Sequence, residues 1–246
     1  MQRAGASAPL EIRISDKTYA GADGNAVQAV KGLALSCPGQ TCTALVGPSG
    51  CGKTTILRIV AGLDAKFSGE VTLAGAPIKE ARIGFIFQEP TLLPWRTVED
   101  NIRLGAPDLS ARALASLLDQ AEIADKASRF PGELSLGLAR RVSIVRAIAA
   151  KPDLLLLDEP FVSLDEATAK TLRALVARIL GDQAVTALLV THDLREAVEL
   201  ADQIVTLTAR PARAKSVRQI STPRAKRTAA VRKKLLAEIE REAKSR

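Results

Sequence analysis

The chain is sparing with the residues that most often do chemistry or staple a fold. Its 246 residues hold one histidine, one tyrosine, one tryptophan and three cysteines. Cys37, Cys42 and Cys51 are odd in number and lack metal-ligand spacing. That argues against a disulfide framework and for a reducing compartment. No apolar run approaches the roughly 20 residues of a membrane span. The opening MQRAGASAPLEIRIS lacks the apolar stretch of a secretory leader, so none is expected.

What is present reads as globular: 47% of residues are hydrophobic and 25% charged. The length suits one sizeable domain or two small ones. The net charge of +8 is uneven, because residues 208–246 carry 13 of the 35 basic residues and 3 of the 27 acidic ones. The body is therefore near neutral. Two readings of the basic tail stay open. One is a solvated amphipathic helix, with Val231, Leu235 and Ile239 at four-residue spacing. The other is a patch for nucleic acid or an anionic membrane.

Short apolar runs at 43–46, 83–87, 154–157, 186–190 and 204–207 predict strands separated by helical stretches. Between about 89 and 150 the strands stop. Residues 109–121 and 135–150 show helical spacing, and Leu138, Val142, Val145 and Ala149 share one helical face. The pattern is α/β: a parallel sheet interrupted by an all-helical insertion.

Gly47-Pro48-Ser49-Gly50-Cys51-Gly52-Lys53-Thr54-Thr55 follows a predicted strand and opens a predicted helix. It matches the Walker A phosphate loop in its proper context. Glycines let backbone N–H groups turn inward toward phosphate oxygens, and the helix N-terminus adds a positive dipole end. Lys53 reaches the β- and γ-phosphates, and the Thr54 hydroxyl holds Mg²⁺. Downstream, LLLLDEP delivers Asp158 and Glu159 at a strand's C-terminal end, where open α/β sheets place ligands. Asp158 is read as a Mg²⁺ ligand through water. Glu159 is read as the base that orients and deprotonates the attacking water.

His192 follows the strand at 186–190 and is read as a γ-phosphate contact, with a purely structural role as the alternative. Gln88 follows the strand at 83–87 and is read as a sensor of Mg²⁺ and the lytic water. Tyr19 either stacks on a base or serves packing.

Taken in order, Tyr19, the phosphate loop, Gln88, ELSLGLARR, LLLLDEP, Ser163-Leu164-Asp165 and His192 resemble the ATP-binding subunit of an ABC transporter over nearly the whole chain. The resemblance implies a RecA-like P-loop NTPase core with a parallel sheet, an N-terminal antiparallel β part and an inserted helical subdomain. It implies an ATPase domain at 9–207, the helical part at about 89–150, and a basic tail at 208–246. ATP and Mg²⁺ are the implied cofactors. In that family two subunits pack head to tail, so Ser135 and Gly137 of ELSLGLARR would cap the partner's ATP, and Asp165 would reach across the same interface. FQEPTLLPWRTVEDNI is similar to importer ATPases for nitrate, sulfonates and taurine. There the region receives a coupling helix of the permease, and Leu92, Leu93, Pro94 and Trp95 would supply the contact. A buried Trp95 is the competing reading.

The implied setting is the cytoplasmic face of the cell membrane. Permease subunits and a solute-binding protein would be partners, and nucleic acid would not. Two alternatives are a non-transport ABC ATPase acting on nucleic acid or ribosomes, and a P-loop kinase. The first usually carries two cassettes or inserted arms. The second leaves ELSLGLARR and Ser163-Leu164-Asp165 without a role. The chain departs from the family pattern around Leu138 and Arg140, where Gln or Arg-Gln-type residues are usual, and at Leu136, which occupies a position where the family usually has glycine. Its side chain restricts backbone approach to phosphate, so slower hydrolysis is expected from an otherwise working motif.

Overall fold

The computed structural model describes residues 9–20 and 25–244. The expectation about a leader falls partly on residues 1–8, which lie outside these. In chain order the elements are β1 (Leu10–Ala20), β2 (Ala26–Cys37), β3 (Cys42–Val46), α1 (Lys53–Val60), β4 (Ser68–Leu73), β5 (Ala76–Pro77), β6 (Ile83–Ile86), α2 (Val98–Arg103), α3 (Ala111–Gln120), α4 (Leu136–Ala149), β7 (Leu154–Asp158), α5 (Glu166–Asp182), β8 (Thr186–Thr191), α6 (Leu194–Leu200), β9 (Gln203–Leu207), β10 (Ala214–Gln219) and α7 (Ala229–Lys244). They form two compact units, residues 1–80 with 186–246, and residues 81–185.

In the first unit, β1 alternates so that Leu10, Ile12 and Ile14 are buried while Arg13 faces outward. It pairs antiparallel with β2 and β4, giving the order β2-β1-β4-β5. A second sheet has β3 parallel to both β8 and β9, with β10 antiparallel beside β9. β3 and β8 are buried along their whole length, as parallel strands covered on both faces are. Thr43, a polar exception, donates its hydroxyl to Gln203 Oε1 at 2.9 Å. Val46 stands opposite both Thr191 and Thr206, so three strands end at one level.

The helix expected around Val231, Leu235 and Ile239 is α7, but it is not simply solvated. Ile239 is buried, and α7 packs on α6. Just before α7, two arginines reach the C-terminus of α6. Arg224 Nε donates to Leu200 O at 2.7 Å, and Arg227 Nη1 donates to Val198 O at 3.0 Å and to Ala201 O at 2.6 Å. A helix end leaves such carbonyls without internal partners. Asp202 accepts from both guanidinium groups and from the Cys42 N–H. Part of the basic excess is thus used inside the unit.

In the second unit β6 and β7 are parallel, with Ile86 opposite Leu157. β6 stops one residue short of the expected strand, and the Phe87 ring stacks on Phe85 at 4.0 Å. α2 has no counterpart among the expected helices. It is six residues long and is capped by Thr97, whose hydroxyl accepts the Asp100 N–H at 3.2 Å. α4 was expected to bury a single face. It is instead enclosed along most of its length, because α2, α3, α5 and β6 all pack against it. No helix among the described residues is long and apolar enough to cross a membrane.

Candidate functional site

The phosphate loop links β3 to α1 within the first unit. Gly50 and Gly52 have φ of 73° and 119°, the left-handed side that favours glycine. A Cβ on Gly52 would also meet Ala29 O at 2.8 Å, so the loop is built tightly against β2. Lys53 is buried, and its Nζ donates to Gly47 O at 2.9 Å and Pro48 O at 3.1 Å. The ammonium is therefore folded into the curl of the loop. Both ends of the peptide joining Gly50 to Cys51 are held. The Cys51 N–H donates to Pro48 O at 3.3 Å, and Arg210 donates to Gly50 O through Nη2 at 2.7 Å and Nε at 3.1 Å.

Tyr19 lies at the side of α1. Its hydroxyl donates to Asp64 Oδ2 at 3.1 Å and lies 3.3 Å from Thr55 Oγ1. The Lys17 ammonium sits 4.3 Å from the ring centroid. Tyr19 as a whole is 38% exposed. His192 is exposed one residue beyond β8, and Gly47 one residue beyond the adjacent β3. A cleft of about 460 Å³ opens beside His192, walled by Asp193 and Arg195 on one side and by Leu236 and Glu240 of α7 on the other.

In the second unit, Gln88 follows β6, and Asp158 and Glu159 lie at the corresponding end of the neighbouring strand β7. Asp158 is buried at the last position of β7. Glu159 has φ 43° and Ser163 φ 63°, conformations that cost a non-glycine residue about 1–3 kcal/mol and that gather at functional sites. Ser135 caps α4, its Oγ accepting the Leu138 N–H at 3.3 Å. Leu136 follows it and is 44% exposed. Glu133 is occupied locally. It accepts the Phe130 N–H and an Arg129 guanidinium, both at 2.7 Å, and these hold its carboxyl below the usual range. Gly137 has an internal reason to be glycine, because a Cβ there would meet Thr168 Cγ2 of α5 at 2.6 Å. Asp165 caps that helix, accepting the Thr168 N–H at 3.0 Å; hydrogen bonding from the Thr168 side chain, and then from its N–H, keeps the carboxyl low.

Trp95 is 70% exposed, which excludes the reading that buries it. Its loop is braced by one side chain. Asn101, fully buried in α2, accepts the Leu93 N–H at 2.8 Å and donates to the carbonyls of Leu93, Arg96 and Thr97. The three cysteines are free and buried, and burial pushes Cys37 up to about 11 and Cys42 to about 12.

Sequence reasoning gave no role to Lys17, Asn101, Arg140, Arg146 or Arg210, and noted Arg140 only as a departure from the family pattern. For Arg140 a signal existed, since a cation stands one turn before Ile144 on a helix side that is otherwise apolar. For Arg210 none did, because its partner Gly50 lies 160 residues away.

A buried strand, a glycine-built loop enclosing a lysine, and a helix that starts at the loop's last glycine together define a P-loop nucleoside triphosphatase. The ABC transporter family profile matches residues 30–162. An aliphatic sulfonates import ATP-binding protein of Burkholderia cenocepacia is 40% identical over 226 residues, 90% of this chain and 82% of that protein. One of the same name from Bacillus licheniformis is 39% identical over 222 residues, 87% of this chain and 86% of that protein. Among solved structures, a dimeric bacterial ABC transporter cassette superposes with a TM-score of 0.75 at 26% identity, covering 87% of this chain and 99% of the cassette. A cassette in a post-hydrolysis state with ADP and Pi superposes at 0.73. The chain belongs to the ABC transporter family, as the ATP-binding, ATP-hydrolysing subunit of an importer. ATP and Mg²⁺ are the cofactors of this class. The relatives lend no support to a nucleic-acid or ribosome ATPase.

Proposed function

We propose that this subunit energises uptake of a small sulfonate-like solute, of the nitrate, sulfonate or taurine kind. In this reading it works as a head-to-tail dimer bound to permease subunits at the cytoplasmic face of the membrane, and a solute-binding protein delivers cargo. The observation that carries the reading is the loop at the end of β3, with Lys53 already turned onto its carbonyls. Likeness to sulfonate import subunits over most of the chain supports the solute class. The exposed Trp95, on a loop braced by Asn101, supplies the surface for a permease helix.

The residues fit ATP and Mg²⁺. Residues 47–55 hold the phosphates, and Tyr19 offers its ring to the adenine. The Thr54 hydroxyl, Asp158 carboxylate and Gln88 amide are the hard oxygen donors Mg²⁺ takes. When bound, the ion neutralises phosphate charge. Glu159 accepts the proton of the attacking water as the γ-phosphate bond to ADP breaks, and His192 holds a γ-phosphate oxygen. Ser135 and Gly137 at the start of α4, with Asp165 at the start of α5, serve the nucleotide held by the partner copy. The exposure of Ser135 and Asp165 suits that role.

Glu159→Gln tests the site. Steady-state ATPase is expected to fall at least about 100-fold, the low end for a lost general base, while an ATP-dependent dimer accumulates on size exclusion. A Glu159→Gln protein that hydrolyses ATP like the parent overturns the assignment. Co-purification of a polytopic membrane protein supports the transport reading. Nuclease-sensitive retention on nucleic acid defeats it.

A further inference from the structure

Arg140 sits in the first turns of α4, five residues after Ser135, and is 3% exposed. No carboxylate pairs with it at ion-pair distance among the described residues, although Glu89 favours its charge from farther off. Its hydrogen-bond partners are two backbone carbonyls from two different loops. Nη1 donates to Phe87 O at 3.5 Å, directly before Gln88. Nη2 donates to Val162 O at 3.2 Å, directly before the Ser163-Leu164-Asp165 turn. Nε has no partner, and it is the one such buried side-chain nitrogen or oxygen among the described residues. A buried guanidinium with an unfilled donor is costly, and apolar residues of similar volume often replace such groups without loss of stability. Its place at the junction of two loops therefore calls for a reason beyond packing.

Arg146, six residues farther along α4, extends the pattern. It donates to Pro90 O at 3.1 Å and to Thr91 O at 2.9 Å. The segment carrying Gln88 is thus gripped on both sides by one helix. Arg140 alone of the two also reaches the turn that carries Asp165.

We infer that Arg140 is a positioning residue whose planar fork joins the Gln88 segment and the Asp165 turn to α4, so that the three move as one piece. The inference rests on the reading of Gln88 and Asp165 as nucleotide-facing groups. It explains how a change sensed at Gln88 would be passed to the face that meets a second copy, through a rigid group rather than through a mobile loop. Arginine suits the task because its two terminal nitrogens are held in one plane at a fixed separation, which a lysine ammonium cannot reproduce.

The experiment uses the full chain with MgATP, comparing the parent with R140M, R140K, Q88A, D165A and the doubles R140M/Q88A and R140M/D165A. R140M keeps the volume, so folding is expected to survive, and thermal unfolding checks this. Binding of a fluorescent ATP analogue is expected to stay within about 2-fold of the parent, while kcat falls about 10-fold. R140K is expected to behave like R140M, because Phe87 O and Val162 O are met by two different nitrogens of the fork and a single ammonium does not take both places. In both doubles the losses are expected to be clearly less than multiplicative, the mark of residues acting through one unit. Multiplicative losses, an unchanged kcat in R140M, or full recovery in R140K would each overturn the inference. If R140M fails to fold, R140K decides it through the same split between kcat and binding. If Q88A and D165A themselves leave kcat and dimerisation untouched, the reading of the site fails instead, and the two failures are told apart.

Discussion

Lys17 is the clearest case of a single residue whose neighbours explain it. Its side chain is 3% exposed, yet its charge is met by Asp64 Oδ1 at 2.7 Å, Lys66 O at 2.8 Å and the face of Tyr19. Burial pushes the Asp64 carboxyl up. Hydrogen bonds from Lys17, the Lys66 N–H and the Tyr19 hydroxyl outweigh that and hold it below its ordinary 3.8. A depressed carboxylate contributes stability that is fully present above the ordinary value and is lost as pH falls through the folded one. Asp64→Asn is therefore expected to cost about 2 kcal/mol near neutral pH, the scale of a lost hydrogen bond to a charged group. The gap to the parent in urea midpoint should close as pH drops below about 3.8. At this scale the legible residues were those whose meaning lies in spacing along the chain, such as Gly50, Gly52 and Lys53. Lys17 was not legible, because its partner Asp64 is 47 residues distant; the pattern around Arg140 marked it as unusual, but its partners, 22 and 53 residues distant, could not be read.

Among the elements, α4 and α2 show where pattern reading succeeds and where it stops. α4 was legible as a helix because fourteen residues give the period room to appear. Its enclosure on nearly every side was not, since a single-face pattern cannot report what four neighbours cover. α2 spans only six residues, too few for a period, and its one signal was Thr97 followed three residues later by Asp100. That small helix matters because Asn101 within it braces the loop bearing Trp95. Trp95→Ala is expected to leave ATP hydrolysis by the isolated subunit within about 2-fold of the parent and to abolish recovery of the membrane partner in a pull-down. Asn101→Ala is expected to lose that recovery as well, and also about 2–3 kcal/mol of stability from the carbonyls and N–H it abandons. Normal recovery with Trp95→Ala would remove the loop from the interface.

For the whole molecule, the alternation of strands and helices was legible because buried parallel strands are unbroken apolar runs, as at Leu154–Asp158 and Thr186–Thr191. Residues 208–246 were harder to read. Their charges suggested solvent, whereas β10 pairs with β9, and Arg224 and Arg227 close the end of α6. Removing everything after residue 207 would strip those caps together with buried Ile220 and Ile239. Losses of about 1–3 kcal/mol at each such position add up to much of a domain's 5–15 kcal/mol. The truncated chain is expected to lose cooperative thermal unfolding. A truncated form that melts like the parent would show the segment to be dispensable. The three sheltered thiols have a practical consequence. Because Cys37, Cys42 and Cys51 are all shielded from solvent, a cysteine introduced at an open position such as Ser135 should react with a maleimide dye or bifunctional linker long before the native ones. The natural chain thus already serves as a near-silent background for testing by fluorescence whether Ser135 comes to face a second copy.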